Sequence, residues 1–145
     1  MSLELSIIIP YHNETAARLA IGLASVNSQI GVDFQNFDVT LIGDGGTPVS
    51  ASDFDWCNNL QLNVINYQDS VGAGCARQRG IDHTSGKYIM FMDADDQLQD
   101  VTSLSQFFSA VAQTGDHQVL IAGYDEIVGN SGLDDSWVMP HPFNW

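Results

Sequence analysis

Tyr88-Ile89-Met90-Phe91-Met92-Asp93-Ala94-Asp95-Asp96 passes without a break from apolar residues into an acidic turn, and this stretch decides the fold class. A short, continuous apolar run bounded by turn residues reads as a strand covered on both faces, the usual state in a parallel sheet. Outward from it the pattern recurs. Leu5 to Ile9 is stopped by Pro10, and Phe37 to Ile42 is stopped by Gly43-Asp44-Gly45-Gly46. Leu60 to Tyr67 alternates instead, with Leu60, Leu62 and Val64 on one face and Ile65 and Tyr67 on the other. A last strand is expected over Val119 to Val128, before the turn Gly129-Asn130-Ser131-Gly132.

Helical spacing fills most of the gaps. Leu19, Leu23, Val26 and Ile30 form an amphipathic stripe, with Asn13 or Thr15 as its cap. Gly74 to Asp82 reads as a short helix weakened by Gly80. Val101, Leu104, Phe108 and Val111 form a further stripe, ended by Gly115. The link from Gly43 to Asn59 shows no clear helix. Strand and helix otherwise alternate, which predicts an α/β fold, a mostly parallel sheet flanked by helices and joined by right-handed crossovers. Residues 1–145 read as a single domain, without repeats or low-complexity tracts.

The 145 residues are 44% hydrophobic and 15% charged, the composition of a soluble globular domain. The net charge of −14 leaves Arg18, Arg77, Arg79 and Lys87 as the only lysines and arginines. Such a surface repels phosphate backbones and anionic headgroups, which argues against nucleic acid and polybasic membrane contact. A diphosphate ligand would need a divalent metal to offset the acidity. Cys57 and Cys75 give neither a disulfide framework nor zinc-ligand spacing, so a reducing, cytoplasmic setting is expected. Cys75 reads as a small buried hydrophobe. No apolar run approaches the ~20 residues of a membrane span, and no basic segment with a signal-peptide core opens the chain.

Ligands of open parallel sheets sit outside the carboxyl ends of the strands. Those ends carry Pro10-Tyr11-His12-Asn13, Asp44, Asp69-Ser70 and Asp93 to Asp96, so the site is expected on that edge. Asp93, Asp95 and Asp96 repel one another unless water or a cation intervenes. Mg2+ or Mn2+ fits, because such ions take one or two carboxylates and leave other positions to phosphate oxygens and water. A solvated acidic turn explains the same spacing. Asp44 reads either as a turn residue bonding its own backbone or as an acceptor for a base N–H or a ribose hydroxyl. Ser70-Val71-Gly72-Ala73-Gly74 leads into a helix N-terminus, a natural anion site, but is neither a P-loop nor a dinucleotide fingerprint. Arg77 falls in this segment too, whereas Arg79 reads as a solvated helix residue. His12 either stacks on a base or caps its loop; His83, His117 and His141 read as surface residues. No nucleophile elbow is present.

Taken in order, four segments resemble the family 2 glycosyltransferases of GT-A fold. Ser6 to Glu14 resembles the opening strand and its Pro-x-Tyr-Asn loop, and Leu41 to Thr47 the Val-Asp-Asp-Gly-Ser-Thr element. Gly72 to Ile81 resembles the Gly-x-x-x-Ala-Arg-Asn-x-Gly-Ile element, and Phe91 to Asp96 the Asp-x-Asp element. The resemblance implies a nucleotide-sugar site made by Pro10, Tyr11, His12, Glu14, Asp44, Gly72, Arg77 and Asp95, with metal on Asp96 and Asp95. It implies a UDP-sugar as donor, a saccharide or other hydroxyl acceptor, and transfer with inversion. The chain departs from the pattern at His12 (for Tyr), Gly43 (for Asp), Ser70 (for Asn) and Gln78 (for Asn).

Family members continue through an acceptor region that supplies an aspartate general base. Only 49 residues follow Asp96, and Asp134 and Asp135 fall too early to match that base. The expectation is therefore a GT-A domain cut off before its acceptor half, with no identifiable catalytic base. The tail Trp137 to Trp145, rich in aromatics and proline, reads as a surface that expects a partner, either the missing half or a second copy of the chain. The alternatives are a catalytically silent nucleotide-sugar-binding module of a larger assembly and, more remotely, an acidic metal-binding domain with no nucleotide affinity.

Overall fold

The computed structural model describes residues 3–114 and the backbone of Glu126–Ile127 and Leu133–Asp134. Four strands, β1 (Leu5–Tyr11), β2 (Phe37–Asp44), β3 (Leu62–Tyr67) and β4 (Tyr88–Phe91), form one parallel sheet in the order β3-β2-β1-β4. Helices α1 (Ala16–Asn27), α2 (Ala73–Asp82) and α3 (Ser103–Thr114) connect or follow them. This is the α/β architecture expected. Two short strands, β5 (Glu126–Ile127) and β6 (Leu133–Asp134), pair antiparallel. The rest of the strand expected over Val119 to Val128, together with Asp135 and the aromatic tail, lies outside the described residues. Among the described residues no helix is long and apolar enough to cross a membrane.

The apolar runs of β1 and β2 are buried because they occupy the two central positions, with helices over both faces. On one face Leu5, Ile7, Ile9, Val39 and Leu41 pack with Leu19, Leu23 and Val26 of α1 and Leu104 of α3. Burying one such side chain stabilises the fold by about 1.5–3 kcal/mol. On the other face Ile8 and Ile42 pack on Ala76 of α2, flanked by Ile65 and Tyr67. Leu62 and Val64 join the first face, so β3 alternates as its sequence predicts. Gly80, which weakens α2 by propensity, is needed for this packing: a Cβ there would lie 2.4 Å from Ile8 Cγ2.

Several expectations fail locally. β4 is fully packed on one face only: Tyr88 and Met90 pack into the core, but Ile89 and Phe91 are 37% and 45% exposed. β4 forms one edge of the four-stranded sheet, and α2 lies mainly over β1 and β2, so its second face is only partly covered, the Arg77 guanidinium standing 6.0 Å from the Phe91 ring centroid. The α1 stripe ends early. Thr15 Oγ1 caps the helix by accepting from the Arg18 N–H, the helix stops at Asn27, and Ile30 is exposed. Gln29 is buried instead, donating to the Ser25 and Asp100 carbonyls while its Oε1 accepts from the Leu104 N–H. Val101 precedes α3 and is exposed. A 3-10 turn at Ala51–Phe54, capped by Ser50, interrupts the link from β2 to β3. Cys75 is exposed on α2, and it is Cys57 that is buried.

Candidate functional site

Parallel pairing sets Tyr11 level with Gly43, and Asp44 level with Tyr67, so the strand ends open on one edge. There a cleft of about 300 Å³ is lined by Pro10, Tyr11, His12 and Glu14 after β1, and by Asp44 at the end of β2. Ala73, Ala76 and Arg77 of α2 and Asp93, Ala94 and Asp95 after β4 complete it. Two residues expected at the site lie outside this lining: Gly72 stands behind Asp44, and Asp96 follows in the acidic turn. A wider hollow at the amino ends of the strands, near Leu3, Phe34 and Asn59, contains a single ionisable side chain, Asp33.

Asp44 organises one wall. Its carboxylate accepts from the Val71 N–H (2.8 Å), the Gly72 N–H (3.0 Å) and the Ser70 hydroxyl (3.1 Å). Burial pushes this carboxyl up. The Val71 and Gly72 N–H groups, the Ser70 hydroxyl and the Arg79 charge outweigh it, leaving Asp44 below its ordinary value. Asp44 therefore bonds backbone from the β3–α2 loop rather than that of its own turn. Arg79 supports the same loop: its guanidinium stacks 3.9 Å from the Tyr67 ring centroid and donates to Asp69 at 3.2 Å. It is not the solvated residue expected, whereas His83 is at the surface as expected and bonds the Tyr67 hydroxyl.

Tyr11 belongs to the scaffold as much as to the cleft. Its hydroxyl accepts from the Val49 N–H and bonds the Asn66 side chain, and burial is the main cause of its raised pKa. The same groups fill the space beside Gly43, where a Cβ would stand 2.3 Å from Asn66 Oδ1. Asn13 takes a left-handed backbone (φ 64°) and accepts the Thr47 N–H on Oδ1 at 2.9 Å. His12 Nδ1 lies 2.7 Å from the Asp44 carbonyl, and its Nε2 lies 3.2 Å from Asn13 Nδ2. The His12 N–H donates to the Glu14 carboxylate.

The opposite wall is acidic. Carboxylate oxygens of Asp93, Asp95 and Asp96 all lie within 4.8 Å of one another. Arg77 Nη2 donates to Asp93 Oδ1 at 2.7 Å and neutralises one of them. Asp96 is exposed as a residue, but partial shielding of its carboxyl, followed by the Asp93 and Asp95 charges, raises its pKa. Three hard oxygen donors with one matched cation suit Mg2+ or Mn2+. Sequence reasoning missed Asn66 and Arg79 as builders of this edge, and placed Asn13 there without its bond to Thr47, because these partners lie 10 to 55 positions away.

The family model described as "Glycosyl transferase family 2" matches residues 6–138. A Rickettsia bellii (strain RML369-C) protein described as an "Uncharacterized glycosyltransferase" is 32% identical over 93 residues, covering 64% of this chain and 13% of that protein. The chain thus spans a small part of that relative's length. Among solved structures, S. aureus TarS in complex with UDP-GlcNAc superposes with a TM-score of 0.66 at 21% identity, over 77% of this chain and 32% of that one. The Pyrobaculum calidifontis mannosyltransferase PcManGT, in complex with GDP-Man and Mn2+, gives a TM-score of 0.61 at 18% identity, over 72% and 31%. At these identities the structural likeness shows the fold, which is GT-A.

Proposed function

The chain belongs to glycosyl transferase family 2, and from that premise we propose that residues 1–145 are the donor-binding part of an inverting glycosyltransferase that takes a nucleoside-diphosphate sugar with a divalent metal. One observation carries the reading. A single cleft is lined both by apolar or planar groups (Pro10, His12, Ala73, Ala76) and by charged ones (Arg77, Asp93, Asp95), the two kinds of surface that a base and a diphosphate need. Relatives of the fold in complex with UDP-GlcNAc and with GDP-Man and Mn2+ support it. UDP is the nucleotide we favour.

In this reading the base lies between Pro10 and His12, close to Asp44, with Glu14 and Gly72 shaping the loops around it. Asp44 Oδ1 accepts one hydrogen bond within the protein, so acceptor capacity remains for a base N–H. Asp95 lies toward the ribose or sugar, and Asp96 with Asp95 would hold Mg2+ or Mn2+. When bound, that ion supplies Lewis-acid stabilisation of charge on the diphosphate leaving group. Arg77, already within the cleft, adds a second positive charge beside the phosphates. An acceptor hydroxyl attacks the anomeric carbon from the opposite side, its proton passes to a general base, and the nucleoside diphosphate leaves. None of the described residues is assigned as that base, and the acceptor is taken to be a saccharide or another hydroxyl compound.

Calorimetric titration of UDP with and without Mn2+ tests the proposal. We expect binding that requires metal and disappears in Asp96→Ala. Absence of binding under both conditions overturns it. Metal-dependent binding without sugar transfer from UDP-sugars to any acceptor would instead favour the silent module.

A further inference from the structure

The hollow at the amino ends of the strands takes no part in the donor site. It holds about 1130 Å³, which is larger than most small-molecule sites. The donor cleft lies at the opposite ends of the same strands, and the seven residues of β1 put roughly 20 Å between the two. Carboxamides dominate the lining: Gln35 before β2, and Asn58, Asn59 and Gln61 before β3, beside the ring of Phe34. No lysine or arginine lines it among the described residues. Two of the amides are anchored at their nitrogen ends. Asn59 Nδ2 donates to the Asn27 carbonyl at 3.0 Å, and the Asn59 N–H donates to Asn27 Oδ1 at 3.1 Å. Gln61 Nε2 donates to the Phe34 and Phe37 carbonyls at 2.9 and 3.0 Å, which uses both of its protons. A carbonyl can only accept, so these bonds fix which end of each amide is the oxygen. Those two oxygens have no partner among the described residues, and neither do the side-chain amides of Gln35 and Asn58. The loop before β2 is tied as well: Asp33 Oδ1 accepts the Gln35 N–H at 2.9 Å, and the Asp33 carbonyl accepts the Asn36 N–H at 3.0 Å. The Phe34 ring is set against Phe37, with 5.4 Å between centroids.

Fixed acceptors, free amides that both donate and accept, and an aromatic ring match an uncharged ligand rich in hydroxyls. Every sugar hydroxyl donates and accepts, and the C–H face of a sugar ring packs on an aromatic one. A phosphate or carboxylate would meet oxygens and Asp33 with no cation to pair it. We propose that this hollow is a binding site for a neutral oligosaccharide, separate from the donor cleft. Acceptors already held in place lower the cost of ordering the site around such a ligand. The binding follows from the hollow alone. Its use, to hold a remote stretch of a saccharide acceptor or product, rests on the donor-site reading above.

Amide 1H–15N spectra of the 15N-labelled chain test it, with neutral gluco-, galacto- and manno-hexasaccharides titrated to about 10 mM, tenfold above a millimolar Kd. At least one of them should shift the signals of residues 33–35 and 58–61 and leave those of His12, Asp44, Arg77 and Asp95 in place. No shift with any of the three, or shifts centred on the cleft, overturns the site. Gln35→Ala combined with Asn58→Ala removes two exposed side chains that bond nothing among the described residues. That variant should keep the melting temperature and the UDP titration of the wild type, while sugar affinity falls about fivefold or more. Unchanged sugar affinity overturns the proposal. Because the ligand is uncharged, its affinity should hold as salt rises, and a salt-dependent affinity overturns the choice of ligand. Titration of UDP keeps the two readings apart. Sugar shifts in a chain that binds no UDP retain this site and remove its link to transfer, whereas UDP binding without sugar shifts retains the donor site and overturns this one.

Discussion

The two walls of the cleft follow opposite rules. On the wall built from β2 and the β3–α2 loop, the Asp44 carboxylate is held by three partners from its own chain, and Arg79 braces the same loop through Tyr67 and Asp69. On the wall after β4, carboxylates of Asp93, Asp95 and Asp96 crowd one another and only Asp93 has a basic partner, Arg77. The Asp44 carboxyl ends below its ordinary value through these hydrogen bonds, whereas the Asp96 carboxyl is raised, by burial first and then by the Asp93 and Asp95 charges. Acidic residues on one edge thus divide into those that hold the fold and those that crowd one another, where the cation of the proposed donor site would sit.

The most severe test is Asp96→Ala. Metal-dependent UDP binding should fall below detection, while the melting temperature should hold or rise. The sign follows from linkage. A carboxyl raised above its ordinary 3.8 contributes stability that is present below that value and lost as pH rises through the folded pKa. At neutral pH the ionised Asp96 therefore adds nothing that its removal could take away. A fall in melting temperature of about 3 °C, worth roughly 1 kcal/mol in a domain of this size, would break the comparison.

Asp44→Asn should behave in the opposite way and lose about 2 kcal/mol, the scale of hydrogen bonds to a charged acceptor. The new amide would also turn a donor toward the Val71 or Gly72 N–H. Because the Asp44 pKa is lowered, its stabilisation is present above the ordinary 3.8 and lost as pH falls through the folded value. Urea unfolding of both proteins should therefore show a gap at neutral pH that narrows in acid below that value. A gap independent of pH would mean that the carboxylate charge is not what secures the loop.

Gly46→Ala probes the junction where the β1 and β2 loops meet. Its φ of 72° strains any L side chain, and the added Cβ would meet Asn13 Oδ1. A loss of about 1–2 kcal/mol is expected. Combining it with Asn13→Ala should cost less than the sum of the two changes, because the clash disappears with the amide. Strict additivity in denaturant unfolding would show that backbone strain alone sets the loss.

The parts of this architecture that could be read in the chain are those governed by near neighbours. The runs of β1 and β2, the alternation of β3 and the acidic turn after β4 all lie in contiguous residues. What could not be read depends on lateral position. β4 has the composition of a doubly covered strand but forms an edge of the described sheet, so Ile89 and Phe91 are exposed. Ile30 continues the period of α1, yet the helix ends three residues before it. The 3-10 turn at Ala51–Phe54 is shorter than any period that could announce it. At the site, the positions of Asp44 and Arg77 follow from the strand ends and the loop into α2. The Asn13–His12–Asp44 network follows only from the meeting of two loops.

The finest contrast lies between two arginines of α2. Arg79 has side-chain exposure of 22% and stacks on Tyr67, whereas Arg77 is 34% exposed and faces an Asp93 that is 55% exposed. Solvent screening leaves such an exposed pair worth about 0–1 kcal/mol, while a cation–π contact with partial desolvation adds about 0.5–2 kcal/mol. Arg79→Gln should therefore lower unfolding stability by about 1 kcal/mol and change UDP affinity only through the loop it braces. Arg77→Gln should leave stability within about 0.5 kcal/mol, the usual range for surface changes, and weaken UDP binding instead. The ionic strength of the titration sharpens the distinction. If Arg77 acts on the phosphates as a charge, its deficit should shrink as salt rises, and a deficit insensitive to salt would place Arg77 with the structural wall rather than the open one.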